Sequence, residues 1–90
     1  MDEINNLRNL IDSVDGQILE LINSRVDLVK KIGDLKKEKN IEIVDKKRER
    51  QIFDMILKQA KEKGLDETTT RKIWQSLIEL SYKVEGGVTK

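Results

Sequence analysis

The sequence predicts an all-α protein of three helices, one long and two shorter, and three observations predict it. The 90 residues hold no proline and only five glycines, so chain breaks are few and easily placed. Apolar residues recur at three- and four-residue intervals over most of the length, the period of an amphipathic helix. Charged residues of both signs make up 39% of the chain while the net charge is only +1, the mixture found on solvated helix faces. The length allows a single domain, residues 1–90, whose core is marginal unless something supplements it.

The first helix is expected over about 3–39. Ile4, Leu7, Ile11, Val14, Ile18, Leu21, Leu28, Ile32 and Leu35 form an a/d heptad seam. Gly16 and Gly33 fall outside this seam, each at a cost of roughly 1 kcal/mol against Ala. The second helix is expected over about 45–63, with Asp45 as N-cap and Gly64 just past its end. Ile52, Ile56 and Ala60 share one face there, beside Phe53 and Leu57. The third is expected over about 67–85, closing at Gly86-Gly87, with Ile73, Trp74, Leu77, Ile78 and Val84 on its apolar side. Between the first two lies a connector, Asn40 to Val44. Its Ile41, Ile43 and Val44 resemble a short strand, but no partner strand exists in the sequence. The tail after Gly87 is expected to fray.

Length argues for a dimer. A first helix of this extent is roughly 55 Å long, while the other two reach roughly 28 Å each. A compact monomer of this size has a radius of gyration near 12 Å. The two shorter helices cannot cover the whole apolar seam, and a second copy is the simplest cover.

One seam position is wrong for a core. Continuing the heptad past Leu21 places Arg25 at an a position, where a charge is costly unless paired. It is either half of a register-setting ion pair or an arginine facing a ligand cavity. Lys36, eleven residues on, points within about 20° of the same direction. On the second helix Asp45 and Glu49 continue the stripe of Ile52 and Ile56, with Arg48 alongside. On the third, Ser81 and Glu85 follow Leu77 at four-residue steps. Each alone reads as a solvated helix end; together they suggest a polar pocket inside the bundle. Arg8, at an e position, lies roughly 25 Å from Arg25 along the helix. It is a surface arginine, unless an antiparallel partner brings it to the other copy's Arg25.

The set resembles the all-helical, AroQ-type chorismate mutases. The similarity runs through Leu7-Arg8, Ile11-Asp12 and Val14-Asp15, then Ile22-Asn23-Ser24-Arg25 and Ile32-Gly33-Asp34-Leu35-Lys36. It continues in Val44-Asp45-Lys46-Lys47-Arg48-Glu49-Arg50, like the family's D-x-x-R-E run, and in Ile78-Glu79-Leu80-Ser81 with Glu85 four residues on. It spans residues 4–85. The resemblance implies an intertwined six-helix homodimer. It also implies an isomerase that rearranges chorismate to prephenate on the way to phenylalanine and tyrosine, with no cofactor, metal or nucleophile.

The resemblance also implies roles for individual residues. Arg25 and the partner's Arg8 bind the two substrate carboxylates, matching the guanidinium fork. Lys36 contacts a carboxylate and the ether oxygen whose bond breaks. Glu49 and the Asp45 backbone hold the ring hydroxyl, and Arg48 and Ser81 complete the polar wall. Glu85 faces the same ether oxygen; to donate a hydrogen bond there it must be protonated. Burial favours that neutral form and nearby Lys36 opposes it. Activity is therefore expected to fall as pH rises, less so in a Glu85→Gln variant.

Two alternatives stand beside this reading: an isochorismate-pyruvate lyase, which shares the scaffold, and, of a different class, a non-enzymatic helical dimerisation or regulatory module. Composition narrows the rest. Without cysteine or histidine there are no disulfides, no Cys or His nucleophile, no imidazole base and none of the commoner zinc sites. No loop has calcium-ligand spacing. The clusters Lys30-Lys31, Lys36-Lys37-Lys39 and Lys46-Lys47-Arg48 are interrupted by acids, so no basic stripe for nucleic acid forms. The acidic Met1-Asp2-Glu3 start is no signal peptide and no run is long enough to span a membrane. A cytoplasmic location is the default expectation.

Overall fold

A computed structural model describes residues 2–87 and contains only helices, turns and bends among them. Helix α1 runs Asp2–Lys39, α2 Lys46–Glu62 and α3 Glu67–Glu85. The tail expected to fray, residues 88–90, lies outside the described residues.

Local chemistry sets each boundary. α1 stops because Asn40 takes a left-handed conformation (φ 59°). The Ile41 amide then reaches back to the Lys36 carbonyl at 2.8 Å, the helix-ending pattern that satisfies carbonyls left over in the last turn. Gly64 (φ 70°) ends α2 in the same way, with the Leu65 amide donating to the Ala60 carbonyl at 2.9 Å. Both shorter helices begin on aspartate caps. Asp45 accepts from the Arg48 amide and Asp66 from the Thr69 amide, each at 2.9 Å, removing one unpaired donor per helix start. Residues 40–44 form no strand; Lys36 Nζ instead donates to the Ile43 carbonyl at 2.7 Å and ties the connector to α1.

α3 packs on both other helices, whereas α1 and α2 do not pack on each other. The core is correspondingly thin: Val29 from α1, Ile52 and Ala60 from α2, Ile78 and Val84 from α3. The heptad seam of α1 is not part of it. From Ile4 to Leu35 the seam is exposed within one chain, between 47% at Ile32 and 70% at Leu21. α1 meets α3 with the next stripe round, half-buried Ile22 and Val26 followed by buried Val29 and Gly33. This corrects the expectation that Gly33 is merely a helix-weakening residue. A Cβ there would lie 2.8 Å from the Glu85 Cα and 3.0 Å from its carbonyl oxygen, so the glycine is what lets the end of α3 reach α1. The chain measures 56 × 26 × 15 Å with a radius of gyration of 16.2 Å, well above the ~13 Å of a compact 100-residue domain. The N-terminal half of α1 projects with its apolar seam bare. None of the described helices is long and apolar enough to cross a membrane.

Candidate active site

Because α3 holds α1 and α2 apart, a cavity of about 370 Å³ remains between the three helices, within the range of small-molecule sites. Its apolar lining is Leu28, Val29 and Ile32 of α1, Ile52 of α2 and Ile78 of α3. The polar lining is Arg25 and Lys36 of α1, Asp45, Arg48 and Glu49 at the start of α2, and Ser81, Tyr82 and Glu85 near the end of α3. The helix caps matter here: by starting α2 at Asp45, the first turn places Arg48 and Glu49 at the cavity edge.

Arg25 is half-buried and has no carboxylate partner among the described residues. Its Nη1 donates to the Leu77 carbonyl at 3.3 Å and to Ser81 Oγ, while the Ser81 hydroxyl donates to that same carbonyl at 2.9 Å. The Nε and Nη2 donors have no protein acceptor among the described residues. Burial pushes the Arg25 pKa below its ordinary value, the like charge of Arg48 pushes it further down, and Glu85 opposes them. An arginine remains charged through such a shift. Two guanidinium groups, one from α1 and one from α2, thus line one cavity, neither in a salt bridge among the described residues, an arrangement that favours an anionic guest.

Lys36 is held differently. Its ammonium lies 2.5 Å from Glu85 Oε1 in a largely buried ion pair, side chains 16% and 6% exposed. The approach is off the hydrogen-bonding direction, so Oε1 is charge-paired but lacks a hydrogen-bond donor. A buried carboxylate oxygen in that condition has capacity left for a proton or a donor.

At the opposite edge, the Tyr82 hydroxyl donates to Glu49 Oε2 at 2.6 Å and receives the Asp45 amide at 3.2 Å. Burial first, then the Glu49 hydrogen bond, raises the Tyr82 pKa above its ordinary value. Lys46 also approaches Glu49 Oε2, at 3.5 Å, from an ammonium-bearing side chain that is 74% exposed.

Seven of the eight residues singled out by sequence line this cavity: Arg25, Lys36, Asp45, Arg48, Glu49, Ser81 and Glu85. Arg8 does not; it is exposed on the projecting half of α1. The sequence reading missed Tyr82, although Ile78, Tyr82 and Glu85 stand at helical i, i+4, i+7 spacing and that stripe could have exposed it. It also missed the carbonyls of Ile43 and Leu77, which carry no side-chain signal. Among the described residues no three acidic side chains gather closely enough to hold a metal ion.

The profile of the chorismate mutase type II family matches residues 7–86. The chain is 39% identical over 79 residues to a chorismate mutase of Methanocaldococcus jannaschii, a match covering 88% of this chain and 80% of that one. It is 45% identical over 62 residues to a bifunctional chorismate mutase/prephenate dehydratase of Aquifex aeolicus, covering 69% of this chain and 17% of that longer protein.

Proposed function

The chain belongs to the type II chorismate mutase family, and from that membership we propose that the cavity between its three helices is the site where chorismate is rearranged to prephenate. The observation that carries the assignment is Arg25: it lines an open cavity with Arg48 and has no salt-bridge partner among the described residues. Chorismate is a dicarboxylate, and a planar guanidinium accepts a carboxylate in two-point fashion. Ser81 and the Leu77 carbonyl hold the Arg25 head so that its remaining donors are available to the guest.

The reaction breaks a carbon–oxygen bond and makes a carbon–carbon bond within one molecule, so no protein group is consumed. The site has two tasks. The first is to keep the substrate folded with its reacting ends close, which removes orientational entropy from the barrier. The apolar surfaces of Leu28, Val29, Ile32, Ile52 and Ile78 supply the shape and Arg25 and Arg48 the anchors. The second is to stabilise negative charge growing on the ether oxygen. Lys36, braced by the Ile43 carbonyl and Glu85, is the fixed donor for that oxygen. Glu85 joins it when protonated. Glu49 accepts from the ring hydroxyl, at the edge bordered by the Asp45 backbone. A millionfold acceleration corresponds to about 8 kcal/mol, of which one well-placed donor supplies roughly 3.

The assembled enzyme is a homodimer in this reading. The bare seam of α1 is the contact surface, and its length brings Arg8 of one chain to the cavity of the other. The direct test is the loss of chorismate absorbance on adding purified protein, with Arg25→Ala as control. Turnover that falls about 10²–10³-fold in the variant, with helicity and assembly unchanged, supports the assignment. Equal rates for the two proteins remove the site from this cavity.

A further inference from the structure

The polar edge formed by Glu49 and the Asp45 amide is already engaged by a hydroxyl of the protein itself. Tyr82 donates to Glu49 Oε2 at 2.6 Å and accepts from the Asp45 amide at 3.2 Å. We propose that Tyr82 is a positioning residue for the substrate's ring hydroxyl: it holds the Glu49 carboxylate turned into the cavity so that the free oxygen, Oε1, accepts from the guest. The proposal rests on the chorismate reading of the site and adds a residue to it.

Two side chains meet the same oxygen of Glu49. Lys46, three residues earlier and 74% exposed, lies 3.5 Å from Oε2. Tyr82, half-buried on α3 and lining the cavity, reaches Oε2 over a much shorter and directional bond. A hydrogen bond to a carboxylate outweighs an exposed lysine pair, so Tyr82 is the contact that fixes the side chain. The carboxylate has two oxygens and room for several donors, so Tyr82 occupies one without excluding a guest from the other. The bond also crosses from the last turns of α3 to the first turn of α2, clamping the cavity edge. The raised Tyr82 pKa keeps the phenol protonated, and hence a donor, throughout the working range.

The experiment is steady-state kinetics of Tyr82→Phe against the unaltered protein, with chorismate and with its ring-deoxy analogue. The phenyl ring keeps the cavity wall, so only the hydroxyl is tested. The expected result is KM for chorismate raised about five- to tenfold, kcat changed less than about twofold, and kcat/KM for the deoxy analogue unchanged. An unchanged KM overturns the proposal. So does a lowered KM, which would make Tyr82 a competitor for the hydroxyl subsite. An equal loss for both substrates also overturns it, since that would mark a structural role. Absence of chorismate turnover in the unaltered protein would instead overturn the functional reading beneath it.

Discussion

Glu85 carries the clearest consequence at the scale of a single residue. Its Oε1 is buried, lies 2.5 Å from the Lys36 ammonium and receives no hydrogen bond. An ionised carboxylate only accepts hydrogen bonds, so donation to an ether oxygen requires the protonated one. A rate limited by that proton must fall as pH rises. Glu85→Gln supplies an amide that donates at every pH, so its rate profile should be flatter than that of the unaltered protein. Parallel profiles from pH 5 to 9 would remove Glu85 from the chemistry. Arg25 is the contrasting case. Its heptad position marked it as anomalous, but two explanations stood side by side in the sequence. Within one chain its hydrogen-bond partners among the described residues are a serine hydroxyl and a carbonyl rather than an acid, which supports the ligand-facing reading proposed above.

At the scale of the helix, the two glycines of α1 look alike in sequence and differ in space. Gly33 lies against the backbone of Glu85, with a Cβ position only 2.8 Å from its Cα. Gly16 has nothing within 4 Å and sits at a heptad f position, away from the seam. Gly16→Ala should therefore stabilise by up to ~1 kcal/mol through helix propensity. Gly33→Ala should destabilise by about 1–3 kcal/mol, because two backbones must separate. Denaturant melts of both variants check the opposite signs; the same sign for both would mean the close approach is relieved without strain. The start of α3 gives a pH effect. The Thr69 side chain, and then its amide, lower the Asp66 pKa below 3.8. A depressed acid contributes stability that is present above its ordinary pKa and is lost as pH falls through the lower folded value. Thermal melts between pH 5 and 2 should show that loss, and Asp66→Ala should lack that component. Caps of this kind were readable in advance at Asp45 and Gly64, the residue types their backbone positions demand. Asn40 was not singled out, since an asparagine ends a helix only where its surroundings hold it left-handed.

At the scale of the whole molecule, the exposed seam is the dominant feature. An α1 of 38 residues carries apolar residues that one chain leaves bare, more than a stable monomer keeps in water. The proposed homodimer makes two demands on solution behaviour. Sedimentation should give twice the chain mass. Mixing inactive Arg8→Ala and Arg25→Ala proteins, after unfolding and refolding together, should restore about a quarter of the original activity, because half the dimers are hybrids and each hybrid has one intact site. No recovery on mixing would mean that Arg8 does not act across the interface.

Helix number, the approximate extent of each helix, and seven of the eight candidate side chains around the cavity follow from periodicity, capping chemistry and a recognised set of motifs. These are properties of near neighbours in the chain, which local stereochemistry controls. Two things were decided only in three dimensions. One is which stripe of α1 meets α3: the seam and the Ile22–Gly33 stripe differ by about one residue step of 100°, and steric access at Gly33, rather than hydrophobicity, selects between them. The other is the occupancy of each polar atom, with Tyr82 on Glu49, Lys36 on Ile43 and Arg25 on Ser81. Those partners come from distant parts of the chain, and only the packing angle of α3 brings them within reach.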